Sequence, residues 1–144
     1  MTSRARLRSL ICLGLVVLAA GCNNGSSSPT APDQSSIAYA QVDLTVGSGA
    51  EATAGKTATV QYAGWLYSET GPDHKGTQFD SGQFPYVVGG GTVIKGFDMA
   101  VTGMKVGGVR RATIPPALAY GTAGNQSIPP NAALVFEIRL NNVQ

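Results

Sequence analysis

The sequence has little charge, two cysteines and one histidine, and these scarcities exclude several classes of protein. Asp, Glu, Lys and Arg make up 12% of its 144 residues. The formal net charge is +2, but Arg4, Arg6 and Arg8 all precede an apolar run. Without these three arginines, seven basic residues remain against eight acidic ones, a net charge of −1. A basic surface that would bind nucleic acid is therefore not predicted.

Groups that commonly carry out catalysis are also scarce. The only histidine, His74, lies between Asp73 and Lys75 in a Gly/Pro-rich segment, where an exposed loop residue is expected rather than a general base. No His, Cys and acidic residues have the spacing of a metal site, and the G-x-S-x-G pattern of a hydrolase nucleophile is missing. The glycines at 89–91 lack the Lys-Ser/Thr ending of a phosphate-binding loop. Neither a metal nor an organic cofactor is predicted.

The N-terminal apolar run extends from Leu10 to Ala20, which is too short to span a bilayer as a helix, since about 20 residues are needed. Arginines before the run and small residues after it are typical of a secretory signal. The run ends in Leu18-Ala-Ala-Gly-Cys22, which resembles the lipobox of bacterial lipoproteins, although Ala19 stands where leucine is commonest. The resemblance implies that residues 1–21 are a lipoprotein signal peptide and that Cys22 carries the lipid. An ordinary secretory cleavage site beside an unrelated cysteine is the alternative.

The number of cysteines supports lipidation. Cys12 would leave with the signal peptide, so Cys22 would be the only cysteine of the mature chain, and an odd thiol in an exported protein needs an explanation. Residues 23–36 are rich in Ser, Pro, Asn and Gly and have no large apolar side chain. We therefore predict that residues 22–36 are the lipidated cysteine and a flexible tether reaching roughly 20 Å. The expected location is the cell envelope, on the periplasmic side or at the outer membrane, with membrane contact through the lipid alone.

Residues 37–144 are predicted to form one domain of strands and turns with one short helix. Alternation of apolar and polar residues predicts strands at 40–46, 57–67, 78–81, 84–88, 109–114 and 133–140. Residues 68–77 and the segment between 81 and 84 are predicted to be a loop and a turn. In the last strand the inward side chains are predicted to be Leu134, Phe136, Ile138 and Leu140, and the outward ones Val135, Glu137 and Arg139. The fold predicted is α+β, an antiparallel sheet with its helix on one face.

The helix is predicted within Val93–Val101, where Ile94, Phe97 and Val101 recur at helical spacing. Gly103 follows at a position where a residue with positive φ commonly ends a helix. Two turns of helix are not stable alone in water, so this segment must pack against the sheet. We predict that its first turn forms the floor of an apolar pocket, and that this pocket is the active site.

Four runs of sequence between Val46 and Leu140 resemble the FKBP-type peptidyl-prolyl isomerases: VGSGAEATAGKTATVQYAGWL, TQFDS, VIKGFDMAVTGMKVGGVRRATIPPALAYG and IPPNAALVFEIRL. They occur in the family's order and cover most of the predicted domain. The resemblance implies a five- to six-stranded antiparallel sheet half-wrapped around the short helix. It also implies cis/trans isomerisation of X-Pro bonds in exported polypeptides, without a cofactor, and binding of tacrolimus- or rapamycin-type macrolides.

The resemblance also assigns residues to the site. Asp80, Tyr120 and the backbone N–H of Ile94 match the catalytic positions, the N–H holding a substrate carbonyl. The substrate-binding positions are matched by Tyr62, Phe79, Phe84, Val93, Phe97, Ile128 and Phe136. Ile128 falls on the family's flap over the pocket, and Phe97 stands where many members have tryptophan. Because the long helical arm of dimeric relatives is absent between the signal and the domain, a monomer is expected.

Each of these residues also has a purely structural interpretation. Tyr62 and Phe136 alternate as core residues do, Phe79 and Phe84 could cover the sheet, and Asp80 could cap a turn. A noncatalytic binder of proline motifs, or a holdase, on the same fold is therefore the alternative function. The altered floor residue, Phe97, keeps this alternative open.

Overall fold

The computed structural model describes residues 32–144. The predicted signal peptide, Cys22 and residues 23–31 of the predicted tether lie outside the described residues. The described chain forms five strands and one α-helix: β1 (Ala40–Thr45), β2 (Thr57–Tyr67), β3 (Lys75–Val87), α1 (Lys95–Val101), β4 (Val109–Ile114) and β5 (Leu134–Val143). Single turns of 3-10 helix occur at Pro72–His74 and Pro116–Leu118. Within this part of the chain, no helix has the length and apolar character needed to cross a bilayer.

All five strands belong to one antiparallel sheet with the order β1-β4-β5-β2-β3. The helix α1 lies on one face of this sheet, against β4 and β5. The predicted α+β class, with a single helix against an antiparallel sheet, is thus confirmed. Strands β1 and β3 are the two edges, and β3 is the longest strand.

The prediction of two short strands separated by a turn is wrong, because β3 runs without a break from Lys75 to Val87. The predicted turn residues Gly82 and Gln83 lie within it, opposite Tyr62 and Gln61 of β2. Pairing with β2 along the whole strand outweighs the local turn preference of Gly82. The predicted loop at 68–77 consequently ends earlier, at the start of β3.

Alternating burial in β5 confirms the predicted inner face. Leu134, Ile138 and Leu140 are fully buried, and Phe136 is nearly so. Val135, predicted to face outward, is also fully buried. Its cross-strand neighbours on the outer face are Thr113 and Trp65, and packing within such a row buries a small side chain even on the outer face of a sheet.

The helix begins two residues later than predicted, with Ile94 as its N-cap, and Gly103 beyond its end has φ 79°.

A buried arginine holds the end of the helix against the sheet. Arg110 of β4 donates hydrogen bonds to Ala100 O (2.9 Å) and Thr102 O (3.3 Å) and pairs with Asp43 of β1. Hydrogen bonding from Arg110 lowers the pKa of Asp43. Pairing satisfies the buried charge and fixes the position of α1.

The folded structure begins before the predicted domain boundary at residue 37. Gln34, predicted to lie in the flexible tether, accepts a hydrogen bond from Ala133 N–H (2.8 Å) and donates one to Tyr67 O (3.2 Å) through its side chain. Its own N–H donates to Asn131 O at 3.2 Å. The end of the predicted tether is therefore attached to the start of β5 and the end of β2.

Replacing Gln34 with alanine is expected to lower the free energy of unfolding by about 1–3 kcal/mol, because the N–H of the fully buried Ala133 loses its acceptor. Denaturant unfolding measures this change. Gln41→Ala is the matched control, since Gln41 is exposed on β1 and its side chain accepts a bond from Tyr39. Equal small losses in the two variants would contradict a specific role for Gln34.

Candidate functional site

A cavity of about 470 Å³ opens between the inner face of the sheet and the first turn of α1. Its walls are formed by Tyr62, Phe79, Asp80, Phe84, Gly91, Thr92, Val93, Ile94, Phe97, Tyr120 and Phe136. Nine of the ten residues predicted for the site are among them, drawn from β2, β3, β5, α1 and the segments before and after them. The sequence did not point to Gly91 and Thr92, which enter the wall with the loop that leads to the helix.

Phe97, on the first turn of α1, lies beneath the cavity with 3% of its surface exposed. Its ring centroid is 5.4 Å from that of Phe136 and 5.9 Å from that of Tyr62, both edge-to-face. The rings of Phe84 and Tyr86 lie 6.0 and 6.1 Å away. Such pairs stabilise by about 0.5–1.5 kcal/mol each beyond the buried area, so this floor is an ordered aromatic cluster.

The carboxylate of Asp80 is held by two donors. Tyr62 Oη donates to Asp80 Oδ2 at 2.6 Å, and the Ser81 N–H donates to Asp80 Oδ1 at 2.9 Å. Burial raises the pKa of Tyr62 to about 12, with further contributions from its hydrogen bond to Asp80 and from the charges of Asp80 and Tyr120. Tyr62 therefore remains a protonated donor at neutral pH and keeps the carboxylate fixed at the wall of the cavity.

The raised pKa of Tyr62 predicts how this residue responds to alkali. The folded state holds the phenolic proton more tightly than the unfolded chain, whose tyrosine pKa is near 10.0. The resulting contribution to stability is fully present below pH 10 and is lost as the pH rises towards about 12. Ultraviolet titration of the wild type minus that of Tyr62→Phe should show a tyrosine ionising near pH 12. A difference transition near pH 10.0 would contradict the burial of Tyr62 first, and then its contact with Asp80.

The loop that carries Gly91, Thr92 and Val93 is attached to the helix by Asp98. One oxygen of this carboxylate accepts hydrogen bonds from Gly89 N–H at 3.0 Å and from Tyr86 Oη at 3.3 Å. Burial first, and then the charge of Asp98, raise the pKa of Tyr86. These bonds fix one wall of the cavity relative to its floor.

The loop ends at Ile94, whose carbonyl accepts the N–H groups of Phe97 and Asp98. As the N-cap, Ile94 has an N–H that precedes the helix, where backbone donors have no acceptor within the helix. Ile94 itself lines the cavity wall.

Tyr120 lies at the rim of the cavity with 38% of its surface exposed, just beyond the 3-10 turn at Pro116–Leu118. Ile128 is different, because the structure does not bring it to the cavity wall. It is 2% exposed and belongs to the hydrophobic core. Asn125 Oδ1 accepts the Ile128 N–H at 2.9 Å, and this tight turn directs the side chain inward, so Ile128 supports the flap rather than covering the cavity.

Two further features lie away from the cavity. His74 is exposed and stacks on Tyr67, with ring centroids 5.0 Å apart, as expected of a loop residue. Within residues 32–144, the structure groups no three His, Cys, Asp or Glu side chains in a way that would hold a metal ion.

Gly64 is a site residue that sequence reasoning missed. It lies on β2 between Asp80 of β3 and Phe136 of β5. A Cβ at this position would be 2.7 Å from ring atoms of both Phe136 and Phe79, so only glycine lets the two rings rest on the strand. A glycine inside a strand often marks such a close approach, and this was the available signal.

Gly64→Ala is expected to displace the rings of Phe79 and Phe136 into the cavity and to lower stability by about 1–3 kcal/mol. Binding of any ligand in the cavity should weaken by about tenfold. Gly82→Ala is the matched control, because its Cβ would meet the Tyr62 ring at an ordinary 3.5 Å. Denaturant unfolding and ligand titration of both variants measure the difference. Similar behaviour in both would contradict this role of Gly64.

Known proteins are similar to this chain in sequence and in fold. The family model for "FKBP-type peptidyl-prolyl cis-trans isomerase" matches residues 48–141. The 39 kDa FK506-binding nuclear protein of Drosophila melanogaster is 47% identical over 107 residues, which are 71% of this chain and 28% of that protein. The FK506-binding protein of Neisseria meningitidis serogroup A is 44% identical over 107 residues, 70% of this chain and 92% of that protein.

The crystal structure of AtFKBP13 superimposes with a TM-score of 0.64 at 32% identity, over 78% of this chain and 98% of that one. This chain spans less than a third of the Drosophila protein but nearly the whole of the Neisseria protein and of AtFKBP13. The matched residues contain every wall of the aromatic cavity. The chain therefore belongs to the FKBP-type peptidyl-prolyl cis-trans isomerase family.

Proposed function

We propose that this protein is a peptidyl-prolyl cis-trans isomerase and that the aromatic cavity is its active site. The observation that carries the proposal is the convergence of four phenylalanine rings with the Tyr62–Asp80 pair, Tyr120 and the N-cap residue Ile94 around one cavity. The cavity is apolar enough for a prolyl ring, and it has a few fixed polar groups for the adjacent amide.

The reaction needs no nucleophile. Rotation about the X-Pro bond is slow because amide resonance gives it a barrier of about 18–20 kcal/mol. At the twisted midpoint the resonance and its charge separation are lost. An apolar cavity that excludes water therefore disfavours the planar amide relative to the twisted one. Each tenfold acceleration requires about 1.4 kcal/mol of such differential stabilisation.

The cavity residues divide this task among them. The ring of Phe97 and its aromatic neighbours hold the prolyl ring, and the N–H of Ile94 donates to a carbonyl of the substrate. The hydroxyl of Tyr120 donates to a second carbonyl at the rim. The carboxylate of Asp80, held by Tyr62, presents a fixed negative charge to the rotating amide, and preorganised charge is effective where water is excluded.

A protease-coupled assay with a proline-containing peptide tests the proposal on the purified protein. Uncatalysed isomerisation takes tens of seconds, so the expected result is a rate that rises in proportion to protein concentration. Peptide binding without acceleration would overturn the isomerase proposal and favour the alternative, a noncatalytic proline-motif binder or holdase. Phe97 is the specific observation behind that alternative, because it is smaller than the tryptophan of many relatives and has no indole N–H.

We also propose that the cavity binds macrolides of the tacrolimus and rapamycin type. Relatives from Drosophila and Neisseria are named for binding FK506, and this chain has the aromatic walls on which an apolar ring would rest. Added macrolide should inhibit isomerisation competitively. If activity is undiminished in a large excess of macrolide and calorimetry detects no binding, the proposal of macrolide binding is overturned.

We further propose that the protein is exported, carries lipid on Cys22 and acts as a monomer on exported polypeptides in the cell envelope. The arginines, the apolar run at 10–20 and the Leu-Ala-Ala-Gly-Cys sequence support this proposal. Labelling with a radioactive fatty acid tests it in a bacterial host. Label and membrane association should both be lost in Cys22→Ala, and a membrane-bound, unlabelled wild type would contradict lipidation.

A further inference from the structure

We infer that Gln34 is a positioning residue for Tyr120, and that residues 33–37, the strap that precedes β1, hold the base of the flap. The flap is residues 121–131, which follow Tyr120 directly. This inference rests on the proposed function, because it gives Gln34 a part in presenting the Tyr120 hydroxyl to the substrate.

The two ends of the flap are bonded to each other beside Tyr120. Asn131 N–H donates to Gly121 O at 2.9 Å, and Gly121 N–H donates to Pro116 O at 2.9 Å. The residue that follows Tyr120 is thus fixed through both its N–H and its carbonyl. Asn131 has φ 57°, a left-handed conformation that is uncommon outside glycine and that persists where surrounding contacts hold it.

The strap supplies such contacts at Asn131. Gln34 N–H donates to Asn131 O at 3.2 Å. The Gln34 side chain accepts the N–H of Ala133 at 2.8 Å and donates to Tyr67 O at 3.2 Å. Ile37 N–H donates to Gln34 O at 3.1 Å, which closes a turn and holds the Gln34 backbone. One side chain therefore joins the base of the flap to the end of β2 and the start of β5.

Tyr120 depends on this backbone more than Tyr62 does. Tyr62 is fixed by the hydrogen bond from its hydroxyl to Asp80, whereas Tyr120 is 38% exposed at the rim of the cavity. An exposed ring is directed mainly by the backbone that carries it. A small displacement at Gly121 would therefore move the Tyr120 hydroxyl away from the carbonyl of the substrate, and such misplacement weakens a positioned contact.

Gln34→Ala in the purified protein tests the inference, with peptide affinity measured by NMR titration and isomerisation by NMR exchange. Tyr120 bonds to the substrate in the planar and the twisted state alike. The dissociation constant of a proline peptide should therefore rise by about fivefold, while the isomerisation rate of the bound peptide stays unchanged.

A double-mutant cycle separates positioning from a general structural effect. Tyr120→Phe removes the hydroxyl itself and should weaken peptide binding at least as much as Gln34→Ala. Adding Gln34→Ala to Tyr120→Phe should weaken it no further, because an absent hydroxyl cannot be displaced. Peptide affinity unchanged in Gln34→Ala, or single effects that multiply in the double variant, overturns the inference.

Met104→Ala is the stability control, because Met104 is 2% exposed, lies beyond the end of α1 and does not line the cavity. It should lower stability at least as much as Gln34→Ala and leave peptide affinity unchanged where all variants are folded. An equal loss of affinity in Met104→Ala would show that Gln34 acts only through stability.

Amide chemical shifts keep the inference separate from the proposed function. The Gly121 amide resonance should move in Gln34→Ala and stay in place in Met104→Ala. Failure of the wild type to accelerate isomerisation overturns the proposed function and leaves this comparison intact. A Gly121 resonance that does not move in Gln34→Ala overturns the role of the strap.

Discussion

Asp80→Leu is expected to lower kcat/KM for proline-peptide isomerisation by about 10- to 100-fold. The substitution removes the fixed carboxylate from the wall of the cavity and leaves Tyr62 Oη, now 2.6 Å from Asp80 Oδ2, without its acceptor. Asp80 is exposed and belongs to a strand paired along its length, so the fold should persist. The protease-coupled assay measures the rate, and circular dichroism checks the fold.

Two comparisons separate the charge of Asp80 from its hydrogen bond. Tyr62→Phe removes the donor but keeps the carboxylate, so it should cost less than Asp80→Leu. The double variant should cost less than the product of the single effects, because the two groups act as a pair. Glu69→Leu removes an exposed carboxylate from a loop and serves as the matched control. A rate for Asp80→Leu equal to that of Glu69→Leu would exclude a catalytic role for Asp80.

Phe97→Ala is expected to lower the free energy of unfolding by about 3–5 kcal/mol, the usual cost of removing a buried aromatic side chain. Phe97 is 3% exposed and packs against four other rings. The substitution removes the ring that these four share as a partner, so the cavity loses its floor and its shape. Denaturant unfolding measures the loss of stability, and peptide titration below the unfolding transition should show binding weakened beyond detection.

Phe97→Trp is the informative companion, since the family resemblance implies tryptophan at this position in many members. It keeps an aromatic floor but must enlarge a packed site, at about 1–3 kcal/mol of overpacking. Peptide binding and isomerisation should persist, and macrolide affinity should equal or exceed that of the wild type. If Phe97→Ala bound peptide as tightly as the wild type, the cavity above Phe97 would not be the binding site.

Where side chains alternate or recur with a clear period, the sequence predicted the fold well. The inner face of β5, the limits of β2 and β4 and the helix before Gly103 all follow from such patterns, because burial of one face acts on each residue locally. The predictions of a loop and a turn within β3 are wrong because pairing with a distant strand outweighs local preference there. Gly82 favours a turn in isolation, but Gly82 and Gln83 pair with Tyr62 and Gln61 of β2, a strand distant in sequence.

The residues of the candidate site likewise divide into those that sequence motifs identified and those that only tertiary contacts placed. Resemblance in short motifs identified nine of the cavity residues, since those motifs carry the chemistry of the family. Gly64 escaped notice because its importance lies in two rings that reach it from other strands. Ile128 was placed at the cavity by the motif, but the bond between its N–H and Asn125 turns it into the core. Gln34, in a segment of disordered composition, is held by Ala133 and Tyr67.

The amino-acid order alone thus determined the fold class, the family and most of the residues that line the aromatic cavity, because periodicity and short motifs are properties of neighbouring residues. Three-dimensional packing decided the rest: which aromatic rings meet over Phe97, and how Tyr62 orients Asp80. These features arise from contacts between segments far apart along the chain. Their energies depend on distances of a few ångströms that no local pattern encodes.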